Sequence, residues 1–186
     1  MKKTHKFGVQ LPKSVDEANR LDKMNGNNYW EASIAKEMKD VRVAFRILNE
    51  GETVPIGYSF VRCHMIFDVK MEDFRRKARL VAGGHMTETP ATMTYASVVS
   101  RETVRLALKL AALNDLEVKC SDVMNAYITA PIEEKIWTTL GHEFGQDAGK
   151  RALIVRALYG LKSAGAAFRK HLWQVHAGTG IRAMSC

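Results

Sequence analysis

The chain has 186 residues, 46% of them apolar, enough for one core or for one core and a small lobe. It contains no run of about 18 apolar residues, so a membrane-spanning helix is not expected, and residues 1–8 lack the apolar stretch of a secretory signal. Cys63, Cys120 and Cys186 form no C-x-x-C pair, which points to reduced thiols and an intracellular location, cytoplasmic or nuclear.

Charge is uneven. The balance of 28 basic and 20 acidic residues gives +8, and residues 148–186 contain no acidic residue at all. That stretch carries Lys150, Arg151, Arg156, Lys162, Arg169, Lys170 and Arg182. A one-signed segment repels itself unless a polyanion neutralises it, so nucleic acid or nucleotide phosphate is the expected partner. A soluble basic surface with no specific partner is the plainer alternative.

In chain order, residues 1–26 read as a polar N-terminal arm with a short helix at 14–24. Asn27 and Asn28 can cap a helix to about Asp40, with Trp30, Ile34, Ala35, Met38 and Val41 at helical spacing. Residues 43–48 look extended, and 49–52 form a turn. Residues 61–70 alternate clearly. Val61, Cys63, Met65, Phe67 and Val69 fall on one side, and Arg62, His64, Ile66, Asp68 and Lys70 on the other. A second strand at 75–82 would present Arg75, Lys77 and Arg79 on one face and Ala78, Leu80 and Ala82 on the other, ending at Gly83-Gly84. Ser100 should cap a helix from 101 to 114, apolar over more than half its circumference and therefore expected against a sheet. Residues 116–123 read as a strand, Pro131 and Glu133-Glu134 as a loop, and 136–140 as a short strand. Residues 142–151 read as a surface loop, 152–158 as a last strand and 164–175 as a last helix. The mixed order indicates an α+β fold.

Asp122 is the residue most suggestive of chemistry. On an ideal strand it shares the face of Leu116, Val118 and Cys120. An unpaired carboxylate there is costly to bury, so a solvent-open strand end, a basic partner or a metal has to compensate. Zinc pairings such as Cys63 with His64, or Cys120 with His142, lack ligand spacing.

Four segments, in order, resemble the reverse transcriptase region of copia-type long-terminal-repeat retrotransposons. Lys77-Ala78-Arg79-Leu80-Val81-Ala82-Gly83 resembles its K-A-R-L-V-A motif, and Tyr95-Ala96-Ser97-Val98-Val99 with the following helix resembles F-S-P-V. Ser121-Asp122-Val123-Met124-Asn125-Ala126-Tyr127 resembles L-D-V-x-N-A-F/Y, and Leu158-Tyr159-Gly160-Leu161-Lys162 matches L-Y-G-L-K. Residues 30–38 also fit the family's entry helix. The family's Q-A-P-R-A-W continuation is replaced here by Ser163-Ala164-Gly165-Ala166-Ala167-Phe168.

The resemblance implies a partial right-hand polymerase fold, fingers plus incomplete palm, over residues 27–172, with a divergent end at 173–186. It implies template-directed DNA synthesis from deoxynucleoside triphosphates (dNTPs) on an RNA or DNA primer-template, by two-metal nucleotidyl transfer. Asp122 would be a catalytic ligand to Mg2+ or Mn2+, joined by the Val123 carbonyl. Lys77 and Arg79 would bind nucleotide phosphates, and Tyr127 would lie under the incoming sugar. Tyr159, Gly160 and Lys162 would border the nucleotide and template. The plainer alternatives are ordinary core packing for Tyr127 and a solvated strand face for the Arg75, Lys77 and Arg79 row.

One expected element is missing. The family's aromatic-x-Asp-Asp hairpin follows L-Y-G-L-K, but this chain has no Asp-Asp pair, and its acidic residues after Asp122 are Glu133, Glu134, Glu143 and Asp147. The expectation is therefore a fragment truncated before that hairpin, inactive by itself, with an exposed apolar sheet edge and marginal stability. A basic nucleic-acid-binding module without catalysis and an unstable translated remnant are the competing readings.

Overall fold

The computed structural model describes residues 4–84, 99–120 and 122–178. Tyr95–Val98 of the F-S-P-V-like segment, Ser121, and residues 179–186 with Arg182 lie outside the described residues. The elements are β1 (His5–Lys6), β2 (Val9–Gln10), α1 (Val15–Met24), α2 (Tyr29–Val41), β3 (Phe45–Ile47), β4 (Ser59–Phe60), β5 (Cys63–Val69), β6 (Arg76–Ala82), α3 (Arg101–Leu113), α4 (Ala126–Thr129), β7 (Pro131–Thr139), β8 (Arg151–Arg156) and α5 (Ala164–Gly178). Helices and antiparallel strands are mixed, as an α+β fold requires.

Three sheets form. β5 and β6 make a hairpin in register from Cys63 opposite Ala82 to Val69 opposite Arg76. β3-β8-β7-β4 make a four-stranded sheet, antiparallel except for the short β4–β7 pairing. The third is the small β1–β2 ribbon. The hairpin behaves as its alternation predicts: Met65, Phe67 and Val69 are buried, while His64, Ile66 and Asp68 are exposed. One core joins the hairpin, the larger sheet and α2, with Trp30, Ile34, Met38 and Val41 of α2 turned inward and Trp30 edge-on to Phe67 at 5.5 Å.

The segment before residue 27 is docked rather than peripheral. Ala18 and Leu21 of α1 enter the core, and Asp22, buried, caps the next helix. Its two carboxylate oxygens accept the backbone N–H groups of Trp30 and Glu31 at 3.2 and 2.9 Å. These N–H groups belong to the first turn of α2, where no carbonyl of the helix itself can reach them. Asn28 occupies the cap position but makes no side-chain bond there. Of the two asparagines expected to cap, Asn27 accepts the Tyr29 N–H at 3.3 Å, and Asp22 of the preceding helix holds the next two N–H groups.

Three further expectations are corrected. Residues 116–120, 122 and 123 form no strand and are exposed, because no described strand lies alongside to share a hydrogen-bond ladder. The Pro131–Glu134 loop is instead the start of β7: Pro131 pairs with Arg156, and a register shift between Pro131 and Ile136 hides the alternation. Helix α3 is capped by Ser100 as expected, but only Ala111 is buried, and Val104, Leu106, Leu108, Leu110 and Leu113 face solvent. Its apolar surface is not laid on a sheet among the described residues. No described helix is long and apolar enough to cross a membrane.

Candidate functional site

The charged face of β6 closes one side of an open cleft of about 860 Å³. α2 forms its floor, contributing Tyr29, Ser33, Lys36, Glu37 and Asp40. The opposite side is the segment 122–125, with Tyr159 at the end. Lys77, Arg79, Asp122, Val123 and Tyr159, singled out from separate motifs, therefore meet at one surface. The other three sit around it. Tyr127 packs behind Tyr159, ring centroids 4.8 Å apart, and against Phe168 at 6.1 Å. Half-buried Lys162 follows in the next turn and does not line the cleft. Gly165 falls in the first turn of α5, which begins at Ala164 despite the missing proline.

Gly160 has a structural task. Its φ is +92°, and a Cβ on it would run into the Ala82 carbonyl oxygen, while a Cβ on Gly84 would strike the Gly160 carbonyl oxygen. The Ala82 N–H donates to the Tyr159 carbonyl at 2.8 Å. Two backbones thus touch directly, and this contact anchors Tyr159 beside the end of β6. Gly84, expected only as a strand terminator, is half of that contact.

The cleft's electrostatics are crowded. Burial lowers the Lys77 pKa, and the neighbouring Arg79 and Lys70 charges push the same way; Glu37 and Asp68 pull back. The Arg79 guanidinium lies over the Tyr159 ring at 3.9 Å, and Arg76 lies over Tyr29 at 5.3 Å. Arg75 is exposed and bridges Asp73 at 3.4 Å. Repulsion between closely set cations is what an incoming anion would relieve. By contrast, the described part of the acid-free C-terminal stretch holds several of its cations in contacts. Lys150 pairs with Asp147, Lys170 pairs with Glu133, Arg156 donates to the Thr129 carbonyl and Arg151 lies over Trp137.

Divalent-metal chemistry needs several carboxylates. Four line the cleft, but three are engaged: Glu37 accepts the Leu80 N–H, Asp40 accepts the Asn125 amide, and Asp73 accepts the Arg75 N–H. Asp122, exposed, is the remaining one, with the Val123 carbonyl beside it in sequence. No group of three His, Cys, Asp or Glu side chains among the described residues is placed to hold an ion. This donor set does not fit a two-metal centre.

The cysteine pairings do not make a site either. Burial pushes the Cys63 thiol up to about 11, a thiol and not a ligand at neutral pH. Because the folded form holds this proton more tightly, its stabilising effect is complete below about pH 9 and is lost as pH rises towards 11, a loss of roughly 2–3 kcal/mol. Iodoacetamide at pH 8 should therefore modify exposed Cys120 and spare Cys63, as read by peptide mass spectrometry. Equal labelling of both would refute the buried thiol.

Comparison with known families decides the family of the chain. Residues 44–183 match the family described as reverse transcriptase (RNA-dependent DNA polymerase). The chain belongs to that family. The chain is also 32% identical over 120 residues to the "Retrovirus-related Pol polyprotein from transposon TNT 1-94" of Nicotiana tabacum. That match covers 60% of this chain and 9% of the polyprotein, and it agrees with the copia-type motifs. No solved structure matches the chain. Helix α2 precedes the family-matched range, and the resemblance of residues 30–38 to the family's entry helix assigns no role to Ser33, Glu37 or Asp40. The available signal was a polar row, Ser33, Glu37 and Asp40, running alongside the apolar row of the same helix and half-buried, whereas the far side of the helix is exposed.

Proposed function

We propose that this reverse transcriptase region supplies the surface that receives the incoming deoxynucleoside triphosphate beside a primer-template. The observation that carries the reading is the convergence of Lys77, Arg79, Asp122 and Tyr159 on one cleft from three distant parts of the chain. Lys77 and Arg79 would take the phosphates, the lysine as a point charge and the arginine as a fork. The Tyr159–Tyr127 pair would support the sugar and base, with Gly160 and Lys162 shaping the turn next to them. On this reading the β5–β6 hairpin and α2 form the fingers, the four-stranded sheet begins the palm, and residues 1–26 and 173–186 flank them. An intracellular location suits the chemistry.

Asp122 and the Val123 carbonyl are the residues proposed to face Mg2+ or Mn2+, and they await further carboxylates. The 186-residue chain alone should therefore bind dNTP and fail to polymerise. Purified chain in a primer-extension assay with Mg2+ should add no nucleotides above the background of Asp122→Asn. Sustained incorporation that Asp122→Asn abolishes would overturn the inactivity and assign Asp122 a working role. A non-catalytic nucleic-acid-binding surface is the second reading, favoured by the Arg76–Tyr29 and Arg79–Tyr159 stacks, since such pairs suit unpaired bases. Oligonucleotide binding that falls steeply with salt, together with no dNTP binding, would favour it over the first.

A further inference from the structure

Helix α2 carries a second face besides the one buried in the core. Ser33, Glu37 and Asp40 stand at i, i+4 and i+7, one stripe along the helix. All three line the cleft, and each of the three bonds described below reaches a different point on its walls. The Ser33 hydroxyl oxygen accepts the Ala78 N–H at 2.7 Å, and a Glu37 carboxylate oxygen accepts the Leu80 N–H at 3.0 Å. The spacing is matched. One helical turn from 33 to 37 rises about 6 Å, and two residues of strand from 78 to 80 advance about 6.6 Å. These N–H groups lie on the edge of β6 that β5 does not pair, so the helix side chains take the place of a missing strand. Lys77 and Arg79 alternate with the bonded positions, Lys77 just before Ala78 and Arg79 between Ala78 and Leu80, and both line the cleft.

The third residue reaches the other wall. Asn125 adopts a left-handed conformation, φ +51°, at the start of α4, and its side-chain amide donates to an Asp40 carboxylate oxygen at 2.8 Å. Asn125 lies three residues beyond Asp122, in a segment that has no sheet to hold it. We infer that the Ser33–Glu37–Asp40 stripe of α2 is a positioning device that sets the cationic wall of the cleft against the Asp122 wall. Its part in nucleotide binding rests on the nucleotide reading of the cleft, whereas its hold on β6 and Asn125 does not. These residues also lie before the family-matched range, residues 44–183, so the device belongs to the part of the chain that match does not reach.

Charge and position make opposite predictions here, which gives a decisive test. If Glu37 acted only through its charge beside Lys77 and Arg79, Glu37→Ala would strengthen binding of an anion. If Glu37 positions β6, the same substitution weakens binding about fivefold, and the Leu80 amide exchanges with solvent at least tenfold faster. Glu37→Gln keeps an acceptor oxygen and should restore both protection and affinity. Asp40→Ala and Asn125→Ala should each weaken binding, and the double variant should be no worse than either. The measurements are dATP binding by isothermal titration and amide hydrogen exchange by NMR on the full chain. Unchanged Leu80 protection in Glu37→Ala overturns the inference whatever happens to binding. So does tighter dATP binding by Glu37→Ala, or additive losses at Asp40 and Asn125. If the wild-type chain binds no dATP, the nucleotide reading falls, and the exchange result at Leu80 still judges the hold of α2 on β6.

Discussion

Gly160→Ala should lower the stability of the folded chain by about 4 kcal/mol. Two costs combine. A φ of +92° is a region that residues with a Cβ rarely occupy, which costs about 1–3 kcal/mol. The new methyl would also enter the Ala82 carbonyl oxygen, and that carbonyl belongs to the end of β6, where the Ala82 N–H is already tied to Tyr159. Backbone cannot turn aside as a side-chain tip can, so overpacking adds about 1–3 kcal/mol more. For a chain of this size the sum should depress the melting temperature by roughly 8–16 °C. Gly26→Ala is the matched control. Its φ is +63°, but nothing lies within 4 Å of the added carbon, so only the backbone cost applies. Melting curves by circular dichroism read both. A Gly160→Ala protein that melts within about 3 °C of wild type would show that the β6 end and the Tyr159 turn are not in rigid contact. The variant should also blunt nucleotide binding, because Tyr159 is placed by the same contact.

What could be read from the residues alone follows from how local each signal is. β5 was legible because a half-buried strand writes its two faces into alternate positions, and Met65, Phe67 and Val69 against His64, Ile66 and Asp68 do so without interruption. The cap of α3 by Ser100 is equally local. Residues 116–120 alternate too, yet form no strand, because alternation describes a face and a strand also requires a neighbour, and none lies alongside among the described residues. β7 failed in the opposite sense: its pairing starts at Pro131, but the register shift before Ile136 breaks the period. The site divides similarly. Lys77, Arg79, Asp122 and Tyr159 were found because they sit in recognisable motifs. Ser33, Glu37 and Asp40 were missed because polar residues beside an apolar helix face look the same whether they meet water or another backbone. Asp22, capping a helix that begins seven residues later, is of the same kind.

Replacing both Lys77 and Arg79 by alanine should weaken dATP binding by roughly a hundredfold while leaving the fold intact. Hydrogen bonds between ionised partners contribute about 1.5–3 kcal/mol each, and two at the lower end of that range account for the factor. Stability should change little, since both side chains lie on the open face of β6 and the main loss is the Arg79–Tyr159 stack, worth about 0.5–1 kcal/mol. Three features separate this from general damage. Deoxyadenosine, which lacks phosphate, should bind the variant and wild type alike. The salt dependence of dATP binding should become shallower, because two of the charges that respond to screening are gone. The pH dependence should flatten as well. Burial and the neighbouring Arg79 and Lys70 hold the Lys77 pKa down, so a bound triphosphate favours the protonated amine. In the wild type, affinity is therefore greatest below the Lys77 pKa and declines as pH rises through it, and Lys77→Ala alone should remove that decline. Titration calorimetry from pH 6 to pH 10 measures all of this. dATP affinity within threefold of wild type in the double variant would sink the nucleotide reading, since no other pair of cations lining the cleft shares that face of β6.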